Sequence, residues 1–245
     1  MQPDFFQRFS DFYSSSKVGT EPNRLKFRHE ILIERNLKYI SGKRVLDLAS
    51  HDGRWSMAAL DAGADFVLGI EGRPSLVNTA NSIFQKHGIS SSRFQFITGE
   101  VLTALENLTP GEFDTIFCFG IIYHIFDHPR LFSLLRRLKP ATVIFDTIVN
   151  TSSEAVIKIQ NDNTVYEGDA IDAPESINNE VIVGYPSRRM FGLYLQFFHF
   201  SWIVLDWKDE TREDWSGLKD YAENRRLSLV GFPNGGSASM AGSMG

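Results

Sequence analysis

The stretch Val45-Leu46-Asp47-Leu48-Ala49-Ser50-His51-Asp52-Gly53-Arg54-Trp55-Ser56 decides the fold class of this chain. It begins as a short apolar strand with an acidic residue near its end, crosses small residues to an Asp-Gly pair and enters a helix. In a doubly wound sheet, ligands bind at such strand ends, because backbone N–H groups at the next helix start face them. Ala49 and His51 stand where loops of this kind usually carry glycine.

Strands and helices alternate along the chain after residue 44. Alternation of this kind implies right-handed crossovers and a parallel sheet, so we expect an α/β, doubly wound, Rossmann-like fold. The predicted strands are 44–48, 66–70, 94–98, 115–119 and 142–146, and the predicted helices between them are 54–62, 74–87, 101–107 and 128–138. Further strands are predicted at 202–207 and 227–230, after a helix at about 187–200.

Changes in composition divide the chain into three parts. Residues 1–40 are predicted to form an N-terminal helical cap that contains a helix at 26–40, and residues 41–232 the main α/β domain. Within that domain, residues 150–190 form a polar insert, and long polar segments of this kind are usually functional. We expect the insert to cover the substrate site. The Gly- and Ser-rich end, residues 233–245, is predicted to be a disordered tail.

The composition excludes several functional classes. The net charge of −5 gives no general electrostatic reason to bind nucleic acid. A single cysteine, Cys118, excludes an internal disulfide and a zinc site built from cysteines. No apolar run approaches the roughly 18 residues that cross a bilayer, and no signal peptide is recognisable, so a cytoplasmic protein is expected. Aromatic residues at 191–202 are expected in the core or in a homo-oligomer interface.

Four motifs in order resemble those of the class I S-adenosylmethionine-dependent methyltransferases, over roughly residues 40–150. They are Val45-Leu46-Asp47 with Asp52-Gly53, then Gly69-Ile70-Glu71, then Gly99-Glu100-Val101, and last Phe113-Asp114 leading to Phe119-Gly120. The resemblance implies a mostly parallel sheet closed by a C-terminal antiparallel hairpin, with S-adenosylmethionine as cofactor. A dinucleotide is disfavoured because the first loop keeps only Gly53 of the G-x-G-x-x-G pattern.

The resemblance also implies a role for each motif. Asp47 would meet the aminoacyl part of the cofactor, directly or through water, and the following loop would approach its methionine portion. The carboxylate at position 71 would accept hydrogen bonds from the ribose hydroxyls, and the pair at 100–101 would bind the adenine. Residues at the end of the fourth strand would lie beneath the transferred methyl. The predicted cofactor-binding residues are Asp47, Ala49, Ser50, His51, Gly53, Glu71, Gly72, Glu100, Val101, Gly120 and Ile121.

His51 stands where the family usually has a glycine. Either the backbone at that position needs no positive φ, or His51 tolerates one at modest cost. The third alternative is a functional role, in which the His51 imidazole contacts the cofactor carboxylate or a substrate.

Tyr123-His124 follows the fourth strand, where it would lie across the methyl-donor site. Imidazole titrates near neutral pH, so His124 can take the proton from an attacking hydroxyl while the methyl is transferred. We therefore predict His124 and Tyr123 as the catalytic residues. The alternative is that the pair packs against the cofactor and shapes the loop.

The run from Phe113 to His124, with Pro186-Ser187, is similar to the tRNA wobble-uridine carboxymethyltransferase family and its relatives that act on sugars and other polar small molecules. The sequence from Asp47 to Ser56 is more similar to the relatives that act on small molecules and saccharides. The expected reaction is therefore methyl transfer to a hydroxyl of a polar small molecule such as a saccharide. The alternatives are methyl or carboxymethyl transfer to a tRNA base, and a non-catalytic relative that only binds the cofactor.

A metal site is a further expectation, centred on Asp146 at the end of the fifth strand. Some sugar O-methyltransferases hold Mg²⁺ near such carboxylates beside a histidine base. Asp146 with Glu154 or Asp172 would supply the oxygen ligands that a hard cation prefers, and the cation would acidify a neighbouring sugar hydroxyl.

Overall fold

A seven-stranded sheet forms the centre of the molecule. The computed structural model describes residues 3–172, 175–208 and 214–233. The sheet has the strand order β3-β2-β1-β4-β5-β9-β8, in which the first five strands are parallel and β9 is antiparallel to both of its neighbours. The strands are β1 Arg44–Leu48, β2 Phe66–Glu71, β3 Phe94–Thr98, β4 Thr115–Phe119, β5 Thr142–Ile148, β8 Ser201–Val204 and β9 Arg226–Phe232. The predicted mostly parallel sheet with a C-terminal antiparallel hairpin is confirmed.

Helices cover both faces of this sheet. They are α1 Phe5–Arg8, α2 Pro22–Leu32, α3 Arg54–Asp61, α4 Pro74–Lys86, α5 Val101–Asn107, α6 His128–Arg137, α7 Arg188–Phe197 and α8 Lys219–Ala222, with short 3₁₀ helices at Ser10–Tyr13, Glu34–Tyr39 and Ile122–His124. Alternate residues of β1 point to opposite faces, and Val45 and Leu46 accordingly belong to two separate apolar clusters. One cluster packs under the N-terminal helices, α3 and α4, and the other under α5, α6 and α7.

The N-terminal helices depart from the prediction in two respects, the first being that α2 begins at Pro22 and not at residue 26. The helix expected at 26–40 is two elements, because α2 ends at Leu32 and Asn36 has a non-helical backbone (φ −115°, ψ 16°). The buried Asn36 side chain donates to the Ile31 and Leu32 carbonyls, which would otherwise continue the helix. The apolar periodicity continues through this break, so it could not reveal the interruption.

The polar insert forms a separate antiparallel hairpin of β6 Ile157–Asn163 and β7 Glu180–Pro186. Its loop returns toward the parallel strands, where residues 167–171 line a cavity. Apart from Pro233, the predicted tail lies outside the described residues. Within the described part of the chain, no helix is long and apolar enough to cross a membrane.

Candidate active site

A cavity of about 610 Å³ lies at the carboxyl ends of the parallel strands. We call the part of its wall that follows β1 to β4 the floor. We call the part contributed by the N-terminal segment and the insert loop the cover. The floor consists of Ala49, His51, Glu71, Gly72, Glu100, Val101, Phe119, Gly120 and Ile121. The cover consists of Val18, Gly19, Glu21, Arg24, Arg28, Glu167, Gly168, Asp169, Ala170 and Ile171.

The floor contains most of the residues predicted to bind a cofactor. Eight of the eleven line the cavity, and the exceptions are Asp47, Ser50 and Gly53. Ser50 is almost fully buried behind the loop surface, and Gly53 begins α3. A Cβ atom on Gly53 would lie 2.9 Å from the Phe96 ring, so this glycine is required by close packing as well as by its φ of +81°.

The loop after β1 uses the left-handed backbone region at two non-glycine residues. Ala49 has φ 52° and His51 has φ 56°. Of the alternatives for His51, the structure therefore shows the tolerated positive φ, which histidine adopts more readily than most residues. The His51 ring also lines the cavity, with Nδ1 3.5 Å from Asp52 and Nε2 3.4 Å from Glu167 of the cover.

Glu71 organises two loops of the floor at once. Its Oε2 accepts from the His51 backbone N–H at 3.0 Å, and its Oε1 accepts from the Arg73 N–H at 2.9 Å. The residue is only 4% exposed. A carboxylate offers about four lone pairs, so each oxygen keeps one that can accept from a ligand hydroxyl.

Glu100 has a local structural partner that the sequence analysis did not assign. Its two carboxylate oxygens accept from the backbone N–H groups of Leu102 and Thr103, which makes it the N-cap of α5. Glu100 also lines the cavity, next to Val101. Since a carboxylate has about four acceptor positions, capping does not exhaust its capacity.

Asp47 is buried beneath this surface. Its carboxylate accepts from the Ser56 hydroxyl at 2.6 Å, and the residue is 1% exposed. Burial raises the pKa of Asp47 to about 7, with the nearby Glu71 and Asp52 carboxylates acting in the same direction. Asp47 does not line the cavity, so contact with the cofactor through water, the second of the two modes expected from the sequence, stays a prediction.

His124, which the sequence predicts to be catalytic, forms a hydrogen bond with an aspartate. His124 Nδ1 donates to Asp162 Oδ2 at 2.8 Å, and both side chains are mostly buried. Tyr123 and His124 line the cavity beside Gly120. Burial alone would raise the pKa of Asp162, but hydrogen bonds from His124 and the Ala170 N–H hold it below the usual range. Asp162 was not predicted as a site residue, because its position in the polar insert was the only indication of a role in the sequence.

Hydrogen bonds attach the cover to the floor. The Arg73 guanidinium, next to Gly72, donates to the carbonyls of Tyr166, Asp169 and Ala170 at 2.6–3.2 Å. Arg54 donates to the Gly19 carbonyl, and the Lys17 N–H donates to Glu167 at 2.9 Å. The two covering segments thus meet each other above the strand ends.

The expected metal site at Asp146 is wrong, because protein donors occupy this carboxylate. Asp146 is fully buried and accepts from Arg28, Arg226, Tyr221 and Ser228 at distances of 2.6–3.2 Å. Burial would raise the pKa of Asp146, but the two guanidiniums hold it well below its usual range. No group of three potential metal-ligating His, Cys, Asp or Glu side chains occurs among the residues that the structure describes.

The strand order, the position of the cavity and the motifs around it together define a class I methyltransferase. The chain matches the family model of the methyltransferase domain over residues 40–212, and it belongs to that family.

Two curated relatives match about half of the chain. The ubiquinone biosynthesis O-methyltransferase of Methylococcus capsulatus is 29% identical over 119 residues, which cover 48% of this chain and 48% of the relative. The tRNA U34 carboxymethyltransferase of Hydrogenovibrio crunogenus is 30% identical over 122 residues, which cover 48% of this chain and 36% of the relative. The matched region thus spans less than half the length of either relative.

Solved structures share the fold at lower sequence identity. The N-terminal domain of EvdMO1, determined in the presence of SAH and D-fucose, superposes with a TM-score of 0.59 at 17% identity, covering 92% of this chain and 94% of that one. A DhpI-SAM-HEP complex superposes with a TM-score of 0.54, also at 17% identity, covering 91% and 92%. A methyltransferase from Mesorhizobium loti gives a TM-score of 0.59 at 14% identity, covering 85% and 99%.

Proposed function

We propose that this protein transfers the methyl group of S-adenosylmethionine to a hydroxyl of a polar small molecule such as a saccharide, with His124 as the general base. The observation that carries the proposal is the 2.8 Å contact of His124 with Asp162 at the wall of the cavity. A carboxylate at Nδ1 keeps the proton on that nitrogen, which leaves Nε2 as the acceptor for a substrate proton. Asp162 is thereby a positioning residue.

The floor fits the proposed cofactor. Glu71 keeps an unused lone pair on each oxygen, which suits the two vicinal hydroxyls of a ribose. Glu100 and Val101 at the neighbouring strand end provide an acceptor and a backbone edge for adenine. The loop of Ala49 to Gly53, including Ser50 and His51, would face the methionine portion, with Asp47 supporting it through Ser56.

Methyl transfer needs little from the protein beyond positioning and proton removal. The bound sulfonium supplies an activated methyl group. Gly120 and Ile121 border the cavity at the end of β4, and Tyr123 with His124 follow directly. The site would hold the acceptor hydroxyl beside His124 and in line with the methyl group, which lowers the barrier through proximity. The imidazole would then take up the proton of the hydroxyl.

The cover supports a small acceptor. Lys17 and Glu167 join the N-terminal segment to the insert above the floor, and the enclosed volume of about 610 Å³ lies within the range of small-molecule sites. We propose that the cap of residues 1–40 and the insert of residues 150–190 together enclose the acceptor. The EvdMO1 domain with SAH and D-fucose and the DhpI-SAM-HEP complex share this fold with small molecules bound or present.

Transfer of a methyl or carboxymethyl group to a tRNA base is the second candidate. It is favoured by the 30% identity to the tRNA U34 carboxymethyltransferase of Hydrogenovibrio crunogenus. The two candidates differ in acceptor size, so a direct comparison of acceptors separates them.

The test combines cofactor binding with turnover. S-adenosylhomocysteine should bind the folded protein in calorimetry, and its formation from S-adenosylmethionine is then measured with sugars, sugar phosphates, hydroxy acids and bulk tRNA. With a productive acceptor, His124→Ala should lower turnover about 10²–10⁴-fold and leave the affinity for S-adenosylhomocysteine within roughly threefold, because the donor site would be unchanged.

The matched control is His87→Ala, since His87 also contacts an aspartate, at 2.8 Å, but does not line the cavity. It should keep full turnover. Absence of cofactor binding would contradict both candidates, unchanged turnover in His124→Ala would remove the base, and transfer to tRNA alone would establish the second candidate.

A further inference from the structure

One end of the cavity has more guanidinium N–H donors than its protein partners accept from. Arg28 and Arg226 line the cavity yet are only 8% and 5% exposed. Both donate to the same oxygen of Asp146, at 2.8 and 3.0 Å. Each guanidinium has five N–H donors, so one carboxylate oxygen satisfies a small part of their combined capacity.

The other carboxylates nearby do not supply the missing acceptors. Asp220 is bound by Arg24 through two hydrogen bonds of 2.8 Å, and lies 3.7 Å from Arg226. Glu21 is exposed. Among the described residues, Arg28 Nη1 and Arg226 Nη2 donate no hydrogen bond. Arg28 Nε is buried without a hydrogen-bond partner, and the guanidinium carbon of Arg28 lies 4.8 Å from the centroid of the Trp55 ring.

One of these donors, Arg226 Nη2, lies at the end of β4. A Cβ atom built on Gly120 would lie 3.5 Å from Tyr123 Oη and 3.7 Å from Arg226 Nη2. Gly120 itself has φ +75° and no side chain to fill this space. A small group beside Gly120 can therefore contact a phenol hydroxyl and a guanidinium at once.

We propose that the acceptor substrate carries an anionic group, a carboxylate or a phosphate-like group, which Arg28, Arg226 and Tyr123 hold beside Gly120. This inference rests on the proposed function, since it assigns the charge of its acceptor. Both guanidiniums are paired with Asp146 but keep N–H donors without a protein acceptor, and planar guanidiniums match the oxygens of carboxylates and phosphates.

The position of the arginines favours the acceptor over the donor as the source of the anion. The residues proposed for ribose and adenine follow β2 and β3, whereas Asp146 and Arg226 lie on β5 and β9. The ends of β2 and β5 are three strand spacings apart, roughly 14 Å. The arginine pair thus lies on the far side of the proposed methyl-transfer position from the adenosine.

The test uses the protein saturated with S-adenosylhomocysteine and titrates it with acetate, inorganic phosphate and acetamide at constant ionic strength. Acetamide has the size of acetate without its charge. At least one anion should bind with a Kd on the order of 1–10 mM and at least about tenfold more tightly than acetamide, because only the anion pairs with the guanidiniums.

Variants locate the bound anion. Arg28→Gln should weaken the binding of the anion about tenfold or more. Tyr123→Phe, which removes one hydroxyl from an otherwise intact ring, should weaken the binding of the anion several-fold. Both should keep the affinity for S-adenosylhomocysteine within about twofold. Arg8→Gln is the control, because Arg8 pairs with Asp61 and does not line the cavity. Tyr123→Phe keeps the test decisive if Arg28→Gln fails to fold.

Three results would overturn this proposal without contradicting the proposed function. The first is equal binding of acetate, phosphate and acetamide. The second is competition between the anion and S-adenosylhomocysteine, with Arg28→Gln weakening both, which would assign the arginines to the donor's own carboxylate. The third is that S-adenosylmethionine carboxylated on its methyl group binds at least tenfold more tightly than S-adenosylmethionine itself, and that this difference depends on Arg28. Such a result would place the anion on the transferred group. Failure of S-adenosylhomocysteine to bind at all would contradict the proposed function instead.

Discussion

The floor and the cover are two walls of one cavity, but they are built in different ways. Residues of the floor follow directly on four neighbouring parallel strands, so the sheet itself brings Glu71, Glu100 and Gly120 together. The cover comes from residues 18–28 and 167–171, which hydrogen bonds such as that from Lys17 to Glu167 hold in place. We infer that the floor determines the cofactor, whereas the cover and the insert determine the acceptor and its activation.

The largest effect that distinguishes the two walls should come from Asp162 on the insert strand β6. Asp162→Ala removes the acceptor that fixes the His124 ring, so turnover should fall about 10²-fold while the affinity for S-adenosylhomocysteine stays unchanged. Asn161→Ala is the matched control, because the neighbouring Asn161 is exposed and its side chain donates to Glu180 of the same hairpin. Asp162→Asn should recover part of the turnover, since its amide oxygen can still accept from Nδ1.

The pH dependence of stability separates the loss of turnover in Asp162→Ala from any loss of stability in the same variant. The pKa of Asp162 is lowered in the folded state, so its stabilising contribution is present above its unfolded pKa of about 3.9 and is lost as pH falls through the folded value. Any deficit of Asp162→Ala in the free energy of unfolding should therefore vanish in acid. A loss of turnover that followed this stability deficit with pH would contradict a positioning role.

On the floor, the largest effect should come from Glu71, through cofactor affinity. Loss of its hydrogen bonds to ribose in Glu71→Ala costs about 1.5–3 kcal/mol, or roughly 10–150-fold in the Kd of S-adenosylhomocysteine. Glu100→Ala should show a smaller change in Kd together with about 1 kcal/mol lower stability, because Glu100 also caps α5. Calorimetry and thermal unfolding measure the two quantities. Equal weakening by both substitutions would remove the ribose assignment.

The same contrast explains what the sequence could predict. The ends of β1, β3 and β4 match their predictions to the residue. β4 is a continuous buried apolar run, β3 at the sheet edge has both buried and exposed residues, and a glycine directly follows each of these two strands. Asp162 is 38 residues from His124, and its pairing depends on how the β6–β7 hairpin folds back. Asp146 was misread as a metal ligand for a similar reason, since Arg28 and Arg226 lie 118 and 80 residues away in sequence.

Two glycines on either side of Glu71 give the last comparison of the two walls, and the smallest effect is expected at Gly72. A Cβ on Gly69 would lie 2.4 Å from Phe96 and 2.7 Å from Ser50 Oγ, within the core beneath the floor. Gly69→Ala should therefore cost about 1–3 kcal/mol of stability through overpacking. A Cβ on Gly72 would lie 2.6 Å from the Ile171 side chain, which belongs to the cover.

Ile171 is half-buried and can move away with the insert loop, so Gly72→Ala should change stability by less than about 0.5 kcal/mol. It should instead raise the KM for the acceptor a few-fold by displacing the cover, while the affinity for S-adenosylhomocysteine stays within about twofold. Gly99→Ala is the control, since its nearest neighbour would be 3.9 Å away. If Gly72→Ala lowered the melting temperature as much as Gly69→Ala, the cover would be as integral to the core as the strands. The division between a wall for the cofactor and a movable wall for the acceptor would then no longer hold.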